Sequence, residues 1–551
     1  MSTPKADRGV GGAGPLVVRG DIVTMDPGRP RVEALGIVEG RVVAAGTRDE
    51  ALGSVPAGTP ELELPGTVVP GLIDSHVHMS WGGRGTEELE VGDAVSVSEV
   101  LARLREFAAA NPEREWLAGR AGIDPESLAE GRFPTAAELD EAAGGRPVFL
   151  DRRSHDALVS SGALRAAGVG AGTADPPGGV IERDAAGEPT GFLIERPAAE
   201  LVERAMPAPS LEDRLRRLRA IQPRFVAAGI TGVVDPALEA EEMLAYAAAA
   251  ERGELSLRVT GMPLGDGEVP PAERAAAFAA AGVDLANRDG DFWRIGPWKL
   301  FLDGGGSLGT ALLYEPWPGT DGYRGNQTTS TAGLNEYAEW AAATGAGLGV
   351  HCVGSAAIDL FIAACARAAA VRPLRGLGFT AIHAYLWPAA EQMARIRDLD
   401  VLVATQSPLQ YTFGPGLVRR FGAEAIGRAH PMRSWLESGA VVGGGSDGTG
   451  HGVEAPIAPL WAFWQMRTRS IEGRDEPVGP QEAITAEQAL ALYTTGAAAV
   501  AMAPDRGKLA PGHVADLAAL EVDPLAATPE QCRNAAVLAT MVAGDLVHDA
   551  R

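Results

Sequence analysis

The segment Gly71-Leu72-Ile73-Asp74-Ser75-His76-Val77-His78 is where the chain first offers chemistry. In extended backbone, residues i and i+2 point to the same side, so His76 and His78 present two imidazoles together at the end of a run coming out of Val68. Such a pair can hold one metal ion, or it can be no more than a solvated or hydrogen-bonded couple. Other residues shift the balance towards metal. His351 and His383 lie at the C-terminal ends of the apolar, strand-length runs Leu348 to Val353 and Phe379 to His383, so four of the nine histidines stand at strand ends. Asp447, in Gly445-Ser446-Asp447-Gly448, brings a carboxylate to the end of the last such run. Neutral imidazoles with a carboxylate form the donor set that zinc and related divalent metals prefer. Lys299 sits in Trp298-Lys299-Leu300-Phe301-Leu302-Asp303, an otherwise apolar strand. An ammonium buried there needs either a partner such as Asp303 or a chemical modification.

The elements that would position these residues alternate along the chain. Strand-length apolar runs at Val233 and Val234, Trp298 to Leu302, Leu348 to Val353, Phe379 to His383, Val401 to Ala404 and Val441 to Gly444 are separated by Ala-rich helical stretches such as Leu211 to Ala228, Glu239 to Arg252 and Ala356 to Ala370. Strands buried on both faces and alternating with helices indicate a parallel sheet, and seven or eight such units over about 250 to 300 residues favour a closed barrel, whose active sites gather at the C-terminal ends of the strands. Gly304, Gly305 and Gly306 follow a strand but lack the spacing of a dinucleotide fingerprint and the lysine of a phosphate loop. The termini differ, being short β-rich runs punctuated by Gly, Pro and Asp. The expected fold is therefore α/β: a distorted (β/α)8 TIM-like barrel over 71–500, interrupted after its first strand by an insertion at about 84–215, with a small β-sandwich domain built from both termini, 1–70 and 501–551.

Composition narrows the function classes. Among 551 residues, 48 Lys and Arg stand against 72 Asp and Glu, a net charge of −24, which repels phosphate backbones and anionic membrane surfaces. Neither nucleic acid nor membrane is expected as a partner; a small-molecule substrate is. Three scattered cysteines supply neither a disulfide framework nor a zinc module and suit a reducing, cytoplasmic setting. Homodimerisation is the default for such an enzyme.

Taken together, PGLIDSHVH (70–78), WKLFLDG (298–304), His351, His383 and GSDG (445–448) resemble the amidohydrolase superfamily and, more narrowly, its YtcJ-like branch. DRRSHDAL (151–158), DPPGGVI (175–181), GEPTG (187–191) and GKLAPGHVADL (507–517) are similar to that branch too, so the resemblance covers nearly the whole chain. It implies a metal-dependent hydrolase that cleaves an amide-type C–N bond, other than a peptide bond, of a small molecule. Residue by residue, His76 and His78 would bind a more buried divalent ion, zinc by preference, which Asp447 also approaches. Lys299, carboxylated, would bridge to a second ion held by His351 and His383. Asp447 would accept a proton from the attacking water and deliver it to the leaving nitrogen.

Two departures leave alternatives open. The family has an acidic residue where Ile382 stands, and Gly-Asp where this chain has Gly354-Ser355. Loss of two supporting acids admits one ion rather than two, or a lyase, decarboxylase or isomerase on the same scaffold; a catalytically inactive binding protein is the remaining reading. His155, Trp81 and His451 are further candidates for contacting substrate, and Tyr314, Trp317, Tyr411, Trp461 and Trp464 for a partly aromatic pocket. The cluster Arg214, Arg216, Arg217 and Arg219 reads as a solvated helix face.

Overall fold

The computed structural model describes residues 14–152, 156–176, 179–450 and 456–551. His155 and His451 lie outside the described residues. Two compact units divide the chain, one comprising residues 83–217 and the other everything before and after it.

The larger unit carries two parallel sheets whose strands follow one another along the sequence. The first contains β1 (Leu72–Asp74), β2 (Ile230–Leu238), β3 (Arg258–Pro263) and β4 (Trp293–Ile295); the second contains β5 (Trp298–Phe301), β6 (Leu348–Gly354), β7 (Thr380–Leu386), β8 (Leu402–Thr405) and β9 (Val442–Gly444). Backbone hydrogen bonds pass between the sheets at both edges, from Gly265 N to the Lys299 carbonyl at 2.8 Å and from Ser75 N to the Gly444 carbonyl at 3.0 Å. Every residue of β2 and of β7 is buried, the mark of strands covered on both faces. Ile73, Val234, Met262, Ile382 and Ala404, from five different strands, pack with Ala497, Ala498 and Val500 into one apolar cluster. Intervening helices Leu211–Ala227, Ala240–Glu251 and Ser355–Val371 fall within a residue of the Ala-rich stretches that announce them.

The termini meet in a single seven-stranded sheet, ordered Asp545–Asp549, Val537–Val542, Leu517–Leu520, Glu61–Pro70, Leu16–Val23, Arg31–Val38, Arg41–Gly46. By hydrogen bonding the two ends form one continuous sheet, as expected of a β domain built from both termini, because Leu517–Leu520 pairs antiparallel with Glu61–Pro70. Its inward face buries Val18, Ile22, Leu35, Val68, Leu517 and Met541. The sheet is pinned to β3 by Arg258, 1% exposed, whose Nε and Nη2 donate to the two Asp516 oxygens at 2.6 and 3.0 Å, while Nη1 meets Asp291.

Residues 83–217 build a six-stranded sheet in the order Val180–Arg183, Pro189–Ile194, Asp156–Val159, Val148–Arg152, Leu117–Arg120, Leu89–Glu90. Within this unit Arg216 and Arg217 both donate to Glu87, at 2.6 and 2.8 Å, so that part of the arginine cluster is paired rather than merely solvated. Among the described residues no helix is long and apolar enough to cross a membrane.

Removing one partner of a buried ion pair leaves an uncompensated charge, which costs roughly 3–5 kcal/mol. Asp516→Ala should therefore lower the unfolding free energy by about 3 kcal/mol in urea titration, whereas Asp523→Ala, at the exposed Arg31 pair, should change it by less than about 1 kcal/mol.

Candidate metal centre

Each candidate ligand lies within one of the parallel strands or just after it. His76 and His78 follow β1, Lys299 lies in β5, His351 in β6, His383 in β7, and Asp447 three residues beyond β9. Backbone hydrogen bonds stitch the first and last of these segments together: Ser75 N to Gly444 O, Asp447 N to His76 O at 2.8 Å, and His78 N to Gly448 O at 2.9 Å. Asp74, wholly buried, accepts through one oxygen from His76 N and Ser446 N at 3.1 and 3.0 Å. A Cβ at Gly445 would lie 2.7 Å from His76 N, so only glycine allows this approach.

Backbone strain aims two of the ligands. Asp447 has φ 57° and His383 φ 73°, the left-handed region that costs a non-glycine residue about 1 kcal/mol or more. At His383 the cause is a bulge: Cys352 pairs with His383 but Gly354 pairs with Leu386, so β7 holds one residue more than β6 and turns there.

The imidazole Nε2 atoms of His76 and His78 lie 3.1 and 3.3 Å from the same Asp447 Oδ1, and the three ligand atoms fall within 4.8 Å of one another. His383 stands beside them, its ring 5.0 Å from His76 and 4.6 Å from His351. Hydrogen bonds fix two tautomers. Gln406 donates its amide to the Ala404 carbonyl, which turns its Oε1 towards His383 Nδ1 at 2.7 Å. His383 Nδ1 must therefore donate, leaving the Nε2 lone pair free. His351 Nε2 meets the Gly304 carbonyl at 3.3 Å, and since a carbonyl only accepts, the lone pair of His351 is on Nδ1.

Burial pushes the imidazoles down, His76 to about 4 and His351 to about 3, with His383 also well below its ordinary value, so all three are neutral ligands at neutral pH. Burial would push the Asp447 carboxyl up, but its electrostatic interaction with the neighbouring His383 imidazole, followed by hydrogen bonds from His76 and His78, holds it well below the usual carboxylate range. Lys299 is completely buried; desolvation drops its amine to about 7 against the opposing pull of Asp447. Its Nζ has no hydrogen-bond partner. Asp303, the alternative partner, is engaged elsewhere, accepting from the backbone N–H groups of Leu312, Val353 and Gly354 at 2.9 Å each.

These atoms fit a divalent cation. Two imidazole nitrogens converge on one carboxylate oxygen, and a buried amine without a partner lies within electrostatic reach of His76, His351 and Asp447.

The departures noted in the sequence acquire explanations. Ile382 is 1% exposed in the apolar cluster, and the support for His383 comes instead from Gln406 just beyond β8. Where the sequence has Ser355, Asp303 reaches the backbone of Val353 and Gly354 and lies 3.7 Å from His351 Nε2. Asp235 on β2 also went unnoticed: fully buried, it accepts from Ser80 N at 2.9 Å and from the Tyr246 hydroxyl at 2.6 Å, fastening the turn just after His78. A polar residue within or just after an apolar run was the signal for both Gln406 and Asp235.

Of the aromatic candidates, Trp81 stacks on His78 with ring centroids 4.0 Å apart. Tyr411, Trp461 and Trp464 pack against one another in a separate cluster. Trp317 is buried against Phe421, and the exposed Tyr314 donates to Asp359. Tyr314 and Trp387, with Pro316, Pro318 and Phe421, line a cavity of about 610 Å³.

The sequence pattern of the amidohydrolase family matches residues 66–548. The chain is 28% identical over 547 residues to YtcJ of Bacillus subtilis (strain 168), which carries an amidohydrolase name, covering 96% of this chain and 98% of that protein. It is 27% identical over 549 residues to the N-substituted formamide deformylase of Arthrobacter pascens, covering 97% and 98%. The crystal structure of an uncharacterized metal-dependent hydrolase from Pyrococcus furiosus superposes with a TM-score of 0.75 at 26% identity, over 93% of this chain and 100% of that one.

Loss of a group that orients a ligating histidine typically weakens metal binding 10- to 100-fold. Gln406→Ala should reduce zinc affinity by at least about tenfold in competition with a chelator, while Gln406→Glu, which keeps the acceptor, should stay within a few-fold of wild type.

Proposed function

Because the chain belongs to the amidohydrolase family, whose pattern spans residues 66–548, we propose that it hydrolyses an amide-type C–N bond of a small molecule with the help of a divalent metal, zinc by preference. The observation that carries this reading is the meeting of His76 Nε2 and His78 Nε2 at Asp447 Oδ1 beside the buried, unpartnered amine of Lys299. In this reading β1–β9 close a distorted (β/α)8 barrel, with Trp293–Ile295 as a supernumerary strand at one seam.

His76, His78 and Asp447 would hold one ion, and His351 and His383 a second, with Lys299 between them as a carbamate. An amine brought down to about 7 is substantially unprotonated at neutral pH, which is the form that adds carbon dioxide; the product is an anion that no longer suffers the penalty of an unpaired ammonium. A bound divalent cation supplies a lowered pKa for coordinated water and polarises the substrate carbonyl. Asp447, ionised and strained into its position, takes the proton of the attacking water and returns it to the leaving nitrogen as the C–N bond breaks and the C–O bond forms. His351 and His383 stay neutral, each oriented through its other nitrogen. Trp81, stacked on His78, would contact the substrate. Gln406 and Asp303 provide support that the sequence lacks at positions 382 and 355, which favours hydrolysis over a lyase or isomerase reaction. Three cysteines, all free and buried, suit a reducing cytoplasm.

Metal analysis of protein purified without chelators should find at least one equivalent of transition metal per chain, falling below about a tenth in His76→Ala. Hydrolysis of a panel of N-substituted formamides should release amine and acid in equal amounts and drop at least about 10³-fold in kcat for Asp447→Asn and for Lys299→Ala. Metal-free wild type, or carbon dioxide, ammonia or a rearranged skeleton as product, would refute the reading.

A further inference from the structure

Phe301 stands out from its own strand. Trp298, Lys299 and Leu300 are at most 1% exposed, whereas Phe301 is 37% exposed. Its place two residues after Lys299 puts both side chains on the same face of β5. The Phe301 ring centroid lies 4.7 Å from Lys299 Nζ, and the ring lies 5.5 Å from that of His351 at 45°. The exposed surface therefore borders the ligand cluster. Two more apolar side chains are open in the same surroundings: Trp81, 41% exposed and stacked on His78, and Leu308, 53% exposed in the loop whose Gly304 carbonyl meets His351.

Apolar surface left in water around a cluster of polar ligands is a cost that a bound apolar group removes. We propose that Phe301 forms the apolar wall of the substrate subsite, and that the substrates carry a flat, uncharged, apolar group next to the scissile bond; this rests on the hydrolytic reading above. An aromatic ring accepts such a group edge-to-face or offset, at a distance that leaves the amide at the ligand cluster. An anionic substituent would be repelled by the negative face of the ring. Phe301 offers no donor or acceptor, so it selects by shape and polarity and takes no part in proton transfer.

Hydroxamates, which mimic an amide and chelate zinc, test the subsite without relying on turnover. Zinc-loaded full-length protein is titrated calorimetrically with benzohydroxamate, acetohydroxamate and the monohydroxamate of succinic acid, with zinc content measured for every variant. In wild type, benzohydroxamate should bind at least about tenfold more tightly than acetohydroxamate, and the succinic derivative more weakly than either. That preference should fall below about threefold in Phe301→Ala and lie between the two values in Phe301→Leu, which retains apolar bulk. An undiminished preference in Phe301→Ala at equal zinc content, or a wild type that prefers the anionic probe, would overturn the proposal. If neither neutral hydroxamate binds zinc-loaded wild type, the metal reading fails first and the subsite falls with it.

Discussion

An amine, several imidazoles and a carboxylate have been taken out of water together, and that desolvation governs the rest of this structure. Lys299 is wholly buried with nothing to donate to, while one oxygen of Asp447 faces two imidazole nitrogens. Isolated ions in such surroundings would be neutralised by shifts in pKa, and the amine does move to about 7. The arrangement makes physical sense as a set of ligands that share positive charge from a bound cation. Neutral histidines and an ionised aspartate are the forms in which these side chains bind metal most readily.

Holding that set requires parts of the chain some 370 residues apart in sequence to keep register, and hydrogen bonds do this directly. Asp74 ties the His76 backbone to Ser446, Asp447 ties back to the His76 carbonyl, and His78 reaches Gly448. Asp235 fastens the turn beyond His78 from a third strand. The surrounding structure pays for left-handed backbone at His383 and Asp447, and the strain falls on two of the residues whose direction matters most.

Much of the site was readable as residue type and position. His76 and His78 two apart, a lysine in an apolar run, and histidines and an aspartate at strand ends were sufficient to nominate every member of the cluster. Supporting groups were harder to see, because a side chain that orients a ligand need not neighbour it in sequence. Ile382 and Ser355 looked like missing acids, yet Gln406 came from beyond the next strand and Asp303 from the preceding one. An apolar residue in an apolar strand, as Phe301 is, gives no hint of which end meets water.

By itself the sequence determined the alternation of strands and helices, the β character of both termini and the identity of the candidate ligands, since these follow from local periodicity and side-chain chemistry. Tertiary structure alone decided in what order the strands of the two termini pair, which imidazole nitrogen is left free, and where aromatic surface stays open. Those outcomes depend on strand register, bulges and contacts between residues distant in the chain, quantities that no local pattern encodes.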